Sequence, residues 1–236
     1  MKPSRTSETQ AMIHYTVTRA ARKTAAIYVH RDGSVEVRCP KKFPDKAIDK
    51  FVKENLAFIE RKAALALTSK QQRDTFCISP GDSLLFLGKE YLLETVPTFA
   101  IGFDEQRFYM PESMPAADIK PAIIKVYKKL AGHLLKIKTE EYAQKMGVTP
   151  TAVKINSAKT RWGSCSGKNS INFSWRLIMA DERCVDYVVV HELAHIAQHN
   201  HSDKFWALVE QYFPDYKQQN KHLRALQEKL SGETWD

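Results

Sequence analysis

His191-Glu192-Leu193-Ala194-His195 carries residue types suited to metal chemistry, at a spacing that says which chemistry. On a helix, two side chains four positions apart project only about 40° out of line. Two imidazoles so placed can share one zinc ion, with the intervening glutamate beside the water such a metal activates. A further histidine, His201, follows closely. The pattern predicts His191, His195 and His201 as ligands of Zn2+ and Glu192 as general base, the core of a zinc-dependent hydrolase. The competing reading is an amphipathic helix whose histidines share a face by chance. Against it stands the run Val185-Asp186-Tyr187-Val188-Val189-Val190, apolar enough to be buried, because a buried face carrying two histidines and a glutamate needs a reason.

The third ligand depends on where that helix ends. Six more helical residues beyond His195 would carry His201 to the opposite face, so the helix must stop between them. Asn200 is the expected left-handed terminator. Glu210, in the manner of zincins that use glutamate, and His199 are the rival ligands; the motif spacing favours His201. That spacing equals the one in H-E-x-x-H-x-x-G-x-x-H metzincins, but Gln198 stands at their glycine position and argues against that label.

The elements that must position these residues follow from pattern. Val188 to Val190 favour a strand by propensity. Asp181 can cap a helix from Glu182 to about Gln198, however, and only a helix unites His191 with His195. Upstream, residues 13–18, 25–30 and 34–39 alternate as strands, the last two flanking the hairpin signal Arg31-Asp32-Gly33. One helix is expected over 45–67 and a polar link over 69–74. A β unit turning near Gly88 covers 84–93, and one or two further strands fall within 99–110. A domain boundary is read at 111–115, giving a β-rich region over 1–112 and a catalytic region over 113–236. The latter begins with a helix over 118–146 closed by Gly147. Strands at 153–155 and 170–175, the metal helix, and helices over 203–212 and 218–230 complete it. The fold class is therefore α+β: a β-rich N-terminal region, then a zincin-like domain with a β-hairpin upstream of the active-site helix. That hairpin, carrying residues 159–166, is placed to pair with an extended substrate.

Composition narrows the remaining classes. Of 236 residues, 43% are hydrophobic and 27% charged, the balance of an ordinary soluble protein. No apolar stretch reaches the roughly 18 to 20 residues that span a bilayer. Met1 to Thr6 has no apolar core after its basic residues, so no signal peptide is expected. Cys39, Cys77, Cys165 and Cys184 form no C-x-x-C pair and read as reduced thiols, which predicts a cytoplasmic protein. The net charge of +9 is compatible with a nucleic-acid or acidic partner, but charge alone carries no sequence-reading motif. Oligomeric state is not read from the sequence.

Taken together, Arg161-Trp162-Gly163-Ser164-Cys165-Ser166, residues 172–177, His191 to His195, Asn200-His201-Ser202 and Phe205-Trp206 resemble the YgjP-like metallopeptidase family, related to WLM and SprT-type zinc proteases. The resemblance runs from about residue 13 to residue 230 and is densest from Arg161 to Trp206. It implies peptidase chemistry, on peptide or unfolded-protein substrates, with His191, His195 and His201 at the metal positions and Glu192 as the base. Some relatives degrade DNA-attached proteins, a role not carried over here. Tyr187, Tyr212, Tyr216, His222 and Arg161 are candidate second electrophiles. Asp186, Asp203 and Glu210 are candidates for orienting the imidazoles. The alternative function is a non-catalytic, zinc-stabilised basic module binding nucleic acid or a partner protein. Structural zinc sites usually close with four protein ligands and favour cysteine, which the spacing here does not supply.

Overall fold

The computed structural model describes residues 13–235, so the Met1 to Thr6 segment lies outside the described residues. The chain divides into two compact units, Met1–Phe76 with Ser231–Thr234, and Cys77–Leu230 with Trp235–Asp236. The two compact units divide at Phe76 and Cys77, and residues 111–115 lie within the second of them.

In the first unit, β1 (Tyr15–Ala20), β2 (Ala26–Val29) and β3 (Val35–Pro40) form a sheet of order β1-β3-β2. The expected hairpin joins β2 and β3, and β1 lies parallel to β3 on the other side. Val35, Val37 and Cys39 of β3 meet Ile48, Val52 and Ile59 in one buried cluster. The single helix expected over 45–67 is two, α1 (Asp45–Glu54) and α2 (Leu56–Thr75). Asn55 breaks it: its side-chain amide donates to the Phe51 carbonyl at 2.8 Å and its backbone leaves helical geometry. The polar link expected after residue 67 is helical, since Lys70, Gln71, Gln72 and Arg73 are good helix formers.

The second unit opens with β4 (Ser83–Phe86), β5 (Lys89–Val96), β6 (Gly102–Phe103) and β7 (Phe108–Pro111), ordered β4-β5-β7-β6. Leu87 and Gly88, with φ of 49° and 77°, make the tight turn between β4 and β5. Helix α3 (Ala116–Met146) ends on Gly147 in the left-handed conformation, as expected. Then come β8 (Ala152–Asn156), β9 (Gly163–Cys165) and β10 (Ser170–Ser174), a 3-10 turn over Trp175–Met179, and helices α4 (Glu182–Ala197), α5 (Asp203–Tyr212) and α6 (Tyr216–Ser231). The α+β class holds: N-terminal strands precede the helices.

The second sheet is ordered β8-β10-β9. Strands β9 and β10 form the hairpin, with Phe173 opposite Gly163 and Ile171 opposite Cys165, while β8 runs parallel to β10. The hairpin forms because Ser166 to Asn169 make a tight turn, Asn169 adopting φ 58° and donating its N–H to the Ser166 carbonyl at 2.8 Å. β9 is thereby left as an edge strand.

Helix α4 is fixed from two sides. Val185, Val189, Val190 and Leu193 are fully buried, so the β-branched run is the core face of a helix rather than a strand. Tertiary burial here outweighs β propensity. On another face, Lys138 of α3 places its Nζ 2.6 Å from Asp186 and 2.8 Å from Glu182. Beneath lies an aromatic cluster in which Tyr127 stacks on Trp175 at 5.4 Å and Trp235 meets both edge-on. All four cysteines are free thiols. Among the described residues, no helix is long and apolar enough to cross a membrane.

Candidate metal centre

Helix α4 carries His191 and His195 one turn apart, their ring centroids 5.1 Å from each other. The helix stops at Ala197 and Gln198 turns extended, with φ −139° and ψ 97°. Asn200 is not left-handed, so the terminator expected from sequence is not the device used. A tight turn through Asn200 and Ser202 then starts α5 and returns His201 over the α4 histidines. The His201 and His191 Nε2 atoms stand 3.2 Å apart, and one ligand atom from each of His191, His195 and His201 lies within 4.8 Å of the others. The rivals Glu210 and His199 are outside this group.

Burial sets the charge state of these rings. Desolvation, aided by repulsion from His195 and His201, pushes His191 down to about 3. Desolvation followed by the His201 charge also lowers His195. Both are therefore neutral at ordinary pH, the form in which imidazole ligates a metal. His191 Nδ1 and His195 Nδ1 are buried without a hydrogen-bond partner. Asp186, Asp203 and Glu210 therefore do not orient these imidazoles, and Asp186 is engaged by Lys138 instead. Unpaired nitrogens in a dry site are costly unless something else uses the rings. A set of three imidazoles suits a borderline cation such as zinc.

Two features of the site escaped the sequence reading. Phe205 of α5 is fully buried, with centroid distances of 5.0, 4.6 and 4.7 Å to His191, His195 and His201. Trp206 stacks on His201 at 5.5 Å and 21°, and Tyr216 stacks on the far face of Trp206 at 5.0 Å and 20°. The signal was the aromatic pair at the start of the helix following His201; sequence used it only as a mark of resemblance.

Glu192 is 5% exposed and faces β9. Gly163 is required there by contact: a Cβ on it would lie 2.6 Å from Glu192 Oε1. Burial raises Glu192 to about 7, opposed by the positive charge of Arg161 and a hydrogen bond from the Cys165 backbone N–H. A carboxyl so poised can exchange a proton near neutral pH.

The candidate electrophiles separate. Tyr187 sits one turn before His191, 5.9 Å between ring centroids, and its hydroxyl accepts from Asn220 Nδ2 at 3.0 Å. Tyr212 donates to the Lys145 carbonyl at 3.1 Å. Arg161 is exposed and acts on Glu192 through charge. His222 lies with Asp181 and Cys184 rather than with the three histidines.

These residues belong to a recognisable class. The family model for the YgjP-like metallopeptidase domain matches residues 23–226, which makes the protein a metallopeptidase with a peptide substrate. The chain belongs to the YgjP-like family. The crystal structure of the metallopeptidase zymogen of Pyrococcus abyssi abylysin is similar over 42% of this chain and 98% of that one, at 24% identity and a TM-score of 0.36. No curated protein matches the chain.

Proposed function

We propose that this metallopeptidase is a zinc enzyme whose ligands are His191, His195 and His201 and whose general base is Glu192. The observation that carries the reading is a convergence: three imidazoles meet at one point while a buried carboxyl stands on α4 beside His191, against an edge strand. A zinc ion, when bound, supplies a Lewis acid that acidifies water and polarises a carbonyl.

The chain's own residues do the rest. Glu192 accepts a proton from the attacking water and returns it to the leaving amine. Its near-neutral carboxyl suits both directions of transfer. Arg161 biases Glu192 toward the anion that must accept the first proton. β9, as an edge strand, offers unpaired backbone groups to an extended segment of unfolded protein. Phe205 and Trp206 keep the histidine side apolar, which strengthens every electrostatic interaction there. The non-catalytic alternative expects a closed four-ligand site; among the described residues the group has three members, which favours catalysis. The four free cysteines support residence in a reducing compartment, the cytoplasm.

Glu192→Gln tests this directly. Cleavage of an unfolded protein should fall by about 10²- to 10⁴-fold, the usual worth of a positioned base, while zinc content stays at the wild-type level. Full activity in that variant would remove Glu192 from its role.

A further inference from the structure

Helix α4 has a second set of ligand-type side chains at its other end. Asp181, immediately before the first turn, and Cys184, one turn on, share a face. Opposite them α6 presents Gln219 and His222, again three residues apart. One ligand atom from each of Asp181, Cys184 and His222 lies within 4.8 Å of the others. Asp181 caps nothing with its side chain, although it occupies the capping position. Gln219 is 3% exposed, and its amide is oriented from behind. Its Nε2 donates to Asp215 at 2.6 Å, and Asp215 is held by Arg183 through two bonds of 2.8 and 2.7 Å. That leaves Gln219 Oε1 turned to the Cys184 sulfur, 3.2 Å away.

We propose that Asp181, Cys184 and His222 form a second zinc site, distinct from the three-histidine centre, in which the ion ties α6 to the N-terminal end of α4. Cys184 precedes His191 by two turns, about 10 Å along the helix axis, so one ion cannot serve both sets. Thiolate, imidazole and carboxylate together form a zinc donor set, and the Gln219 Oε1 oxygen stands beside the sulfur to complete four. Binding breaks the Cys184 S–H bond, forms a sulfur–zinc bond and releases the proton to solvent. Burial, with Asp181 and Asp215 nearby, holds the thiol up at about 11, so a cation must drive that deprotonation. The arrangement places a structural ion on the helix that carries the catalytic one, the two centres sharing α4 and no ligand.

Metal analysis and cobalt substitution on the full chain decide the matter. Wild type should retain two zinc ions per chain, and His222→Ala and Cys184→Ser one each. Cobalt-loaded wild type should show a near-ultraviolet thiolate-to-cobalt charge-transfer band, which a site of imidazoles alone cannot produce. His201→Ala should keep that band, and Cys184→Ser and His222→Ala should lose it. His222 is exposed, so its variant tests the site without disturbing the core. A single zinc in wild type with no thiolate band, or a band unchanged in His222→Ala, would overturn the proposal. Either result would leave the three-histidine centre untouched.

Discussion

The two ends of α4 are built on one plan with different materials. At each end an acid is pressed against a glycine, Glu192 against Gly163 of β9 and Asp181 against Gly88 of the β4–β5 turn. At each end a later segment brings a histidine, His201 from the turn before α5 and His222 from α6. The surroundings then diverge. Around the three histidines the neighbours are aromatic, and two buried ring nitrogens have no partner. Around Cys184 the neighbours are polar and mutually bonded, from Gln219 through Asp215 to Arg183. An apolar wall leaves the imidazoles free to serve as ligands and lets a cation act at full strength. A bonded network fixes geometry and suits a static role.

The largest way to break this contrast is Phe205→Ala. The ring is fully buried and touches all three histidines, so its loss removes the apolar floor itself. Stability should drop by about 3–5 kcal/mol in denaturant unfolding, with metal retention falling alongside. A loss under about 1 kcal/mol would show that the floor collapses without cost and that the histidines do not lean on it.

Gly163→Ala comes next and acts on geometry rather than stability. The added methyl would stand 2.6 Å from Glu192 Oε1 and 2.7 Å from its Cγ, so the carboxyl must move. A displacement of that size should lower kcat by about 10²-fold while zinc content is unchanged. Wild-type kcat in Gly163→Ala would mean that Glu192 reaches its working position by another path.

Lys138→Met addresses what α4 needs as a helix. Its ammonium serves Asp186 and Glu182 together; the substitution keeps an apolar stem of similar length buried but removes both pairings. Glu182 is largely exposed, which moderates the cost, so about 1–3 kcal/mol is expected, read as a lowered thermal midpoint. Unchanged stability would show that the pairing only offsets its own desolvation.

How much of this was legible beforehand depends on the range of the signal. His191 and His195 are read from a four-residue repeat, and the hairpin at Gly33 and the turn at Gly88 from local backbone demands; each is where it was expected. The return of His201 was expected through a left-handed Asn200, whereas the chain uses an extended Gln198, which its residue type does not announce. The parallel β8–β10 and β1–β3 pairings join strands separated by an intervening strand, so no local pattern encodes them. Asn55 reads as an ordinary helical residue until its amide takes the Phe51 carbonyl. The His191–His195 segment is thus local in sequence, and the walls around it are not.

The smallest expected effect belongs to Asp215→Asn, and it bears on the N-terminal end of α4 alone. Hydrogen bonding from Arg183 is the main reason Asp215 falls to about 2, from an ordinary value near 3.8. A carboxyl lowered by folding adds stability that is fully present above its unfolded value and lost as the pH drops through the folded one. The wild-type advantage over Asp215→Asn should therefore be constant above pH 4 or so and vanish toward pH 2. Because the pair is partly exposed, the advantage itself should not exceed about 1 kcal/mol. Thermal midpoints of the two proteins across that interval give the comparison. A gap that stays constant down to pH 2 would mean that Asp215 contributes through its shape alone. The amide of Asn would then hold Gln219 as well as the carboxylate does, and the polar network would owe nothing to charge.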